Sequence, residues 1–337
     1  MEISDIQRYD SEKMYEAYDN WPKLAKEYYE KDFSKLEIDD VDHIVFAGMG
    51  GSGTIGDIIS SILSRNNIHV NVVKGYLLPK TVDSNTLVVT TSVSGNTTEI
   101  TSILKNSKNS NARFISFSSG GNLEKISREN NIKHVKIPQL HSPRASLPSF
   151  LYSVLNVLGN IIPIKKNDVM ESISKLEQTR KLVSSSNLNE KNPSLSLATW
   201  LKNIPIIYYP WGLQAAAIRF KNSLQENAKI HTISEDVIEA CHNGIVAWEN
   251  KPNVQPILIQ GHDDYVKTKE RWKIFNEFLQ SKQIDFKEVN SGEGNILSKI
   301  MHLIYLLDYS TIYNAIESKI DPSPVESIEF IKKRLNN

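Results

Sequence analysis

The chain has 337 residues, 40% of them hydrophobic, enough for two domains of ordinary size, each with its own core. Lysine plus arginine and aspartate plus glutamate both number 39, so composition supplies neither a basic face for nucleic acid nor an acidic tail, and it favours a small-molecule substrate. The one cysteine, Cys241, excludes an internal disulfide and a cysteine-based zinc cluster, and suits a reducing cytoplasm.

The N-terminal MEISDIQRYD is polar and acidic, unlike a signal peptide. Residues 11–32 read as a covering helix with aromatic contacts from Tyr15, Tyr18, Trp21, Tyr28 and Tyr29, and no chemistry is assigned to it. A strand at Ile44–Ala47 then runs into Gly48, Gly50, Gly51 and Gly53, with a helix from Thr54 onward. Glycines let backbone N–H groups approach a ligand closely, and Ser52 adds a hydroxyl at the helix start. The spacing also fits G-x-G-x-x-G, which makes a nicotinamide enzyme a competitor. That fingerprint expects an acid about 20 positions on to hold the ribose. Here the next strand, His69–Val73, ends in Lys74-Gly75, and no Asp or Glu lies between Asp57 and Asp83. NAD is disfavoured, and Lys74 leaves NADP open.

The most informative stretch is LVVTTSVSGNTTE, residues 87–99. An apolar run suited to a buried strand stops at Gly95-Asn96, and Thr97 stands where an N-cap would begin a helix. Ser92, Ser94, Thr97 and Thr98 place hydroxyls beside free backbone N–H groups, where the helix dipole favours an anion. An ordinary capped turn is the plain alternative. Further strands near Ala112–Ser116 and His134–Ile137, with helical segments between, predict a parallel sheet with helices on both faces. Both Ser/Gly-rich loops would then lie at its carboxyl edge, where a phosphate can be cradled.

Pro143-Arg144 opens onto the same edge, and Arg144 is a candidate partner for a substrate oxyanion. The uncharged stretch Ala145–Ile164 has its leucines at helical spacing and reads as a helix buried in protein, with no membrane span expected. The polar run at 184–194 is the best linker candidate. A second α/β pattern follows, with strands at 204–209, 254–260 and 285–289 and helices at 213–225, 266–282 and from 295. It lacks an equivalent Ser-rich loop. The expected organisation is α/β, two doubly wound units divided as 1–150, a helical connection 151–195, and 196–337.

GMGGSG followed by TSVSGNTTE resembles the sugar isomerase (SIS) domain, in which these two turns bind the phosphate of a phosphosugar. The resemblance implies Gly51, Ser52, Ser92, Ser94 and Thr97 as the phosphate site. Glu226-Asn227-Ala228-Lys229, His242-Asn243 with Ile245-Val246 and Trp248, and Lys299 extend it to the bifunctional phosphoglucose/phosphomannose isomerases, over nearly the whole chain to the terminal SPVESIEFIKKRL. It implies two SIS-type domains and interconversion of glucose 6-phosphate and mannose 6-phosphate with fructose 6-phosphate, within the carbohydrate metabolism of glycolysis and gluconeogenesis. Glu226 would move the proton, Arg144 would steady the enediolate, and His242 and Lys299 would assist ring opening. It also implies a cytoplasmic homodimer with His242 reaching the partner's site, and neither cofactor nor metal.

Read without the family, Glu226 is also a solvated carboxylate at a helix end, His242 a turn-capping histidine and Lys299 a surface lysine. Their chemistry nonetheless forms the set that aldose–ketose isomerisation needs, one base, one proton donor and cations near a developing oxyanion. Relatives often carry an acid after His-Asn where this chain has Gly244, so Glu239 and Glu249 become candidates to orient His242. The resemblance also implies a small residue near the last catalytic helix that leaves room for the second C2 configuration, and Ser291 and Gly292 are both small. His262-Asp263-Asp264 reads as a capped turn and not as a metal triplet. Two alternatives remain: a non-catalytic phosphosugar sensor and an NADP-linked oxidoreductase. A glutamine-dependent glucosamine-phosphate synthase is disfavoured because the chain shows no N-terminal cysteine domain.

Overall fold

The computed structural model describes residues 1–250 and 252–335. Three N-terminal helices, α1 (Ile3–Tyr9), α2 (Met14–Asp19) and α3 (Trp21–Glu30), precede the first sheet unit. That unit runs β1 (His43–Ala47), α4 (Gly50–Leu63), β2 (His69–Val73), β3 (Thr86–Ser92), α5 (Thr98–Lys105), β4 (Arg113–Ser118), α6 (Gly121–Glu129) and β5 (Lys133–Lys136). Helices α7 (Leu147–Val157), α8 (Lys166–Val183) and α9 (Pro193–Trp200) lead to the second unit. There β6 (Ile204–Tyr209), α10 (Gln214–Ser223), β7 (Ile233–Asp236), α11 (Val237–Ala240), β8 (Val254–Gln260), α12 (Val266–Ser281), β9 (Lys287–Asn290) and α13 (Ile296–Glu317) follow in turn, with α14 (Glu326–Leu335) beyond.

Both sheets are parallel, ordered β2-β1-β3-β4-β5 and β7-β6-β8-β9, so the expected pair of parallel sheets flanked by helices is present. Strand periodicity divides the apolar residues between layers. In β1, Ile44 and Phe46 join the large central core, whereas Val45 and Ala47 pack under α5 and α6 on the opposite face. The central core also takes in Ile207, Ile257 and Ile259 of the second sheet and nearly all of α13. The outer face of that sheet, Tyr208 and Leu258, packs against α11 and α12.

In the first sheet, β1 lies beside β3 while the chain leaves them toward opposite edges, which makes the gap between their carboxyl ends the topological switch point. The two Ser/Gly-rich loops flank that gap. Glycine is obligatory at Gly95: its φ is +71°, and a Cβ there would stand 1.9 Å from the Gly120 carbonyl oxygen.

Several element boundaries differ from the sequence expectation for identifiable reasons. The helix expected over 11–32 breaks at Asn20, which ends α2 and begins α3, because Pro22 lacks an N–H and its ring clashes with the carbonyl four residues back. The helix at 213–225 widens after Ser223 into a π turn, Leu224–Ala228. Strand β7 was not anticipated; it is a four-residue edge strand with a single exposed isoleucine as its apolar signal. Within the polar run 184–194, Asn192 is buried, caps α9 through Ser194 N and Leu195 N, and donates to the Asn187 carbonyl.

Helix α13 carries a pH-sensitive contact with α8. The Thr179 hydroxyl donates to the Lys175 carbonyl and lies 2.7 Å from His302 Nδ1, so Nδ1 is the donor to it. Burial, with Lys175 nearby, depresses the His302 pKa to about 4 from 6.5. Between those values the unfolded chain binds the extra proton, so stability is complete above pH 6.5 and falls progressively toward pH 4, by roughly 3 kcal/mol in all. His302→Gln should flatten this part of a stability–pH curve measured by urea unfolding; an unchanged slope would place the loss elsewhere.

Candidate active site

The glycine turn after β1 delivers Gly51 and Ser52 in the first turn of α4, with Met49 extended as N-cap. After β3, the buried Ser92 hydroxyl accepts from Gly95 N at 3.1 Å and pairs with Thr97 Oγ1 at 2.8 Å. Ser94 Oγ accepts from Asn96 N at 3.3 Å, and Thr97 is the extended N-cap of α5. The structure therefore assembles Ser92, Ser94 and Thr97 in one turn, braced by the Asn122 N–H on Asn96 Oδ1 and the Leu123 N–H on the Gly95 carbonyl. By sheet topology, two helix N-termini and these hydroxyls flank the switch point, an arrangement suited to a phosphate. Lys74, which left NADP open, is engaged by Asp57 at 2.7 Å.

Arg144 and Glu226 meet although 82 residues separate them. Arg144 is buried, and each part of its guanidinium has a protein partner. Nε donates to Asn227 Oδ1 at 2.7 Å, Nη2 to the Pro322 and Ser323 carbonyls at 2.7 and 2.8 Å, and Nη1 to Glu226 Oε2 at 3.4 Å. Asn227 is fixed in turn by donating to Thr311 Oγ1 on α13 at 2.8 Å. Glu226 rides on the π turn, a geometry common at functional sites. Its side chain keeps 26% exposure and lines an open cleft of about 760 Å³ with Gly50, Asn222, Gln225, Lys229 and the segment Pro324–Ile328. The glycine turn, the carboxylate and the start of α14 thus share one cleft. Lys229, left-handed at φ +59°, sends Nζ to the Pro322 carbonyl at 3.3 Å; burial and the nearby Arg144 lower its pKa.

His242 and Lys299 lie elsewhere on this chain. His242 is exposed on the turn after α11, beyond the edge strand β7. Neither carboxylate considered for orienting it is seen to do so: Glu239 accepts from Asn243 Nδ2 at 2.7 Å, and no His242–Glu249 contact occurs among the described residues. The missing acid at Gly244 has a counterpart, since a Cβ at 244 would stand 2.6 Å from Glu235 Oε2. Burial, then Glu239 and Asp236, raise the pKa of that carboxylate.

Lys299 is paired with Asp263 and only 12% exposed. It stands in the first turn of α13, twelve residues before Thr311, about 18 Å along the helix from the Asn227 contact. The structure does not bring it to Glu226. Ser291 and Gly292 belong to that distant end too, Ser291 Oγ accepting from His262 N at 3.0 Å, so any room they leave is not room beside Glu226. In the same turn Asp264 Oδ2 accepts from Gly261 N and Trp272 Nε1; it braces the turn and does not cap α12, whose N-cap is Tyr265 without a side-chain cap bond.

Sequence reasoning missed the strap 321–325 and α14 as walls of the cleft. The signal lies in the terminal SPVESIEFIKKRL, whose Ile328, Ile331 and Leu335 recur at helical spacing. Ile328 lines the cleft, and Lys332, four residues on, shares its face of α14. Also missed was Asp308, the single carboxylate or lysine between Lys299 and Glu317 in an otherwise apolar helix.

Known proteins resemble this chain over both of its units. Residues 37–154 match the SIS domain family, and residues 190–335 match the bacterial phospho-glucose isomerase C-terminal SIS domain family. A bifunctional phosphoglucose/phosphomannose isomerase of Caldicellulosiruptor bescii is 30% identical, the match covering 96% of this chain and 98% of the relative. One of the same name from Aquifex aeolicus is 30% identical over 87% of this chain and 90% of its own. Among solved structures, a hypothetical protein of Thermus thermophilus shares the fold at TM-score 0.73, with 14% identity and coverage of 96% of this chain and 91% of that one. Both SIS units are accounted for and a relative is matched nearly end to end, so the chain belongs to the bifunctional phosphoglucose/phosphomannose isomerase family.

Proposed function

We propose that this protein is an aldose–ketose isomerase that interconverts glucose 6-phosphate and mannose 6-phosphate with fructose 6-phosphate through a cis-enediolate. The observation that carries the reading is the cleft in which Glu226, held against Arg144, faces the glycine turn at the switch point. The substrate phosphate would sit on Gly51, Ser52, Ser92, Ser94 and Thr97, using backbone N–H groups, hydroxyls and helix dipoles. Glu226 would take the C2 proton of the aldose and return it to C1. Arg144, already oriented by four protein acceptors, would stabilise the charge that develops on the enediolate oxygens without reorganising during the reaction.

Ring opening needs an acid near the ring oxygen. His242 supplies it on this reading from the partner of a homodimer, which its exposure permits. The accompanying ammonium, expected from Lys299, is reassigned to Lys332, whose helix borders the cleft; Lys299 instead secures the turn at Asp263. On the same reading, 1–150 forms the phosphate-binding unit, 151–195 the connection and 196–337 the catalytic unit. The location would be the cytoplasm and the reaction part of hexose phosphate metabolism. No helix among the described residues is long and apolar enough to cross a membrane.

Steady-state rates with fructose 6-phosphate test these roles. Glu226→Gln should lose roughly 10³-fold in kcat, in the range of a removed general base, and Lys332→Met about 10²-fold. Lys299→Met should keep kcat near wild type and lower Tm. Full turnover by Glu226→Gln would remove the proposed base, and the reverse order for the two lysines would restore Lys299. For the shared histidine, mixing inactive Glu226→Gln and His242→Ala dimers should recover activity after subunit exchange. Demonstrated exchange without recovery would place both groups on one chain.

A further inference from the structure

Arg219 is 2% exposed on α10, seven residues before Glu226 on the same continuous helical stretch. Its Nε and Nη2 reach Asp308 Oδ2 at 3.0 and 2.7 Å, and Asp308 has no exposed surface. The carboxylate also accepts from Ser223 Oγ at 2.7 Å and the Tyr18 hydroxyl at 3.1 Å. A pair serving stability alone needs nothing more. Two further contacts tie this arginine to the cleft. Nη2 donates to the Arg144 carbonyl at 2.8 Å, and Nη1 faces the glycine turn, where a Cβ on Gly51 would stand 3.3 Å from it. That same point lies 3.3 Å from the Pro143 carbonyl oxygen and 3.4 Å from the Arg144 Cα. Three segments therefore meet on a glycine: the first turn of α4, the Pro143-Arg144 step and the buried guanidinium.

We propose that Arg219 is a positioning residue for the isomerisation, fixing the Arg144 backbone and the Gly51 turn at the spacing from Glu226 that the reaction requires. The inference rests on the proposed function but adds a residue to it. Arg219 touches no reacting atom; through Arg144 and Gly51 it sets the distance between the phosphate site and Glu226 and leaves the phosphate contacts themselves intact. Because positioning errors of about 1 Å can cost 10²-fold in rate, loss of this spacer should appear in kcat more than in substrate binding.

Removing Arg219 alone would leave Asp308 buried and unpaired, so the test replaces the cluster by apolar groups of similar shape, Tyr18→Phe/Arg219→Met/Asp308→Leu, an exchange that buried ion pairs often tolerate. Arg219→Lys is measured beside it. A lysine can meet Asp308 but lacks the fork that also holds the Arg144 carbonyl. Both are assayed with fructose 6-phosphate, with inorganic phosphate as competitive inhibitor and Tm as the measure of folding. The expected result is a cooperative unfolding transition, an inhibition constant for phosphate close to wild type, and kcat lower by about 10²-fold. Wild-type kcat in either folded variant would overturn the proposal. So would a loss of kcat matched by equal losses in phosphate binding and folded fraction, which is the signature of a purely structural pair. Absence of turnover in the wild-type protein would instead overturn the isomerase reading on which the inference stands, and the two failures are distinguishable in one experiment.

Discussion

Asp308 sits midway along a helix whose other central residues are almost all apolar, and its position obliges the surrounding chain to bring donors to it. A carboxylate without water is tolerated only when fully hydrogen-bonded and paired, and breaking such a pair by removing one partner costs about 3–5 kcal/mol. Arg219 and Ser223 from α10 and Tyr18 from α2 answer that demand. Burial works against a charged Arg219, but Asp308 foremost, with Tyr18 and Glu226, outweighs it and holds the guanidinium above its ordinary pKa. One turn further along the same helix, Thr311 accepts from Asn227, which accepts from Arg144. Two legs of one polar network therefore rise from a single rigid helix face. One locates the backbone of Arg144 and the other its side chain.

The cleft divides its electrostatic work by location. On the proposed mechanism, the anion-binding apparatus at the switch point consists of glycine turns, hydroxyls and helix N-termini, whose dipoles favour a phosphate by about 0.3–1 kcal/mol per helix. The full positive charge is placed instead beside Glu226, where on the proposed mechanism the enediolate forms. Arg144 donates to backbone carbonyls and an amide as well as to the carboxylate, so its orientation is set before substrate arrives. The strap through Pro322 and Ser323 that accepts from Arg144 also leads into α14, which couples the wall of the cleft to the cation inside it.

The fold was legible wherever strand periodicity met a turn signal. LVVTTS followed by Gly95, and IVFA followed by four glycines, name both a buried parallel strand and the loop it delivers, because each property is local. Local contacts were correspondingly readable: Ser92 and Thr97, placed in one loop by the sequence, pair within one turn. Relations between distant segments were not. That Arg144 meets Glu226, or that Tyr18 meets Asp308 across 290 residues, follows from packing of whole helices. The N-terminal helices, read as mere cover, supply a donor to the central carboxylate. The separation of Lys299 from Glu226 was hidden for a related reason. Lys299 looked suitable by residue type and helix, yet a 22-residue helix places its two ends far apart. A further signal overlooked in the sequence itself was the solitary charge of Asp308, which in an apolar helix announces a buried partner.

The central claim, proton transfer between C1 and C2 on a phosphosugar held at the switch point, is tested most directly by ¹H NMR in D₂O with the purified protein and fructose 6-phosphate. The account predicts that anomeric signals of glucose 6-phosphate and mannose 6-phosphate both appear, with solvent deuterium at C2. Glucose 6-phosphate alone would contradict the dual specificity, and binding of fructose 6-phosphate with neither aldose formed would contradict the isomerase and leave a phosphosugar sensor.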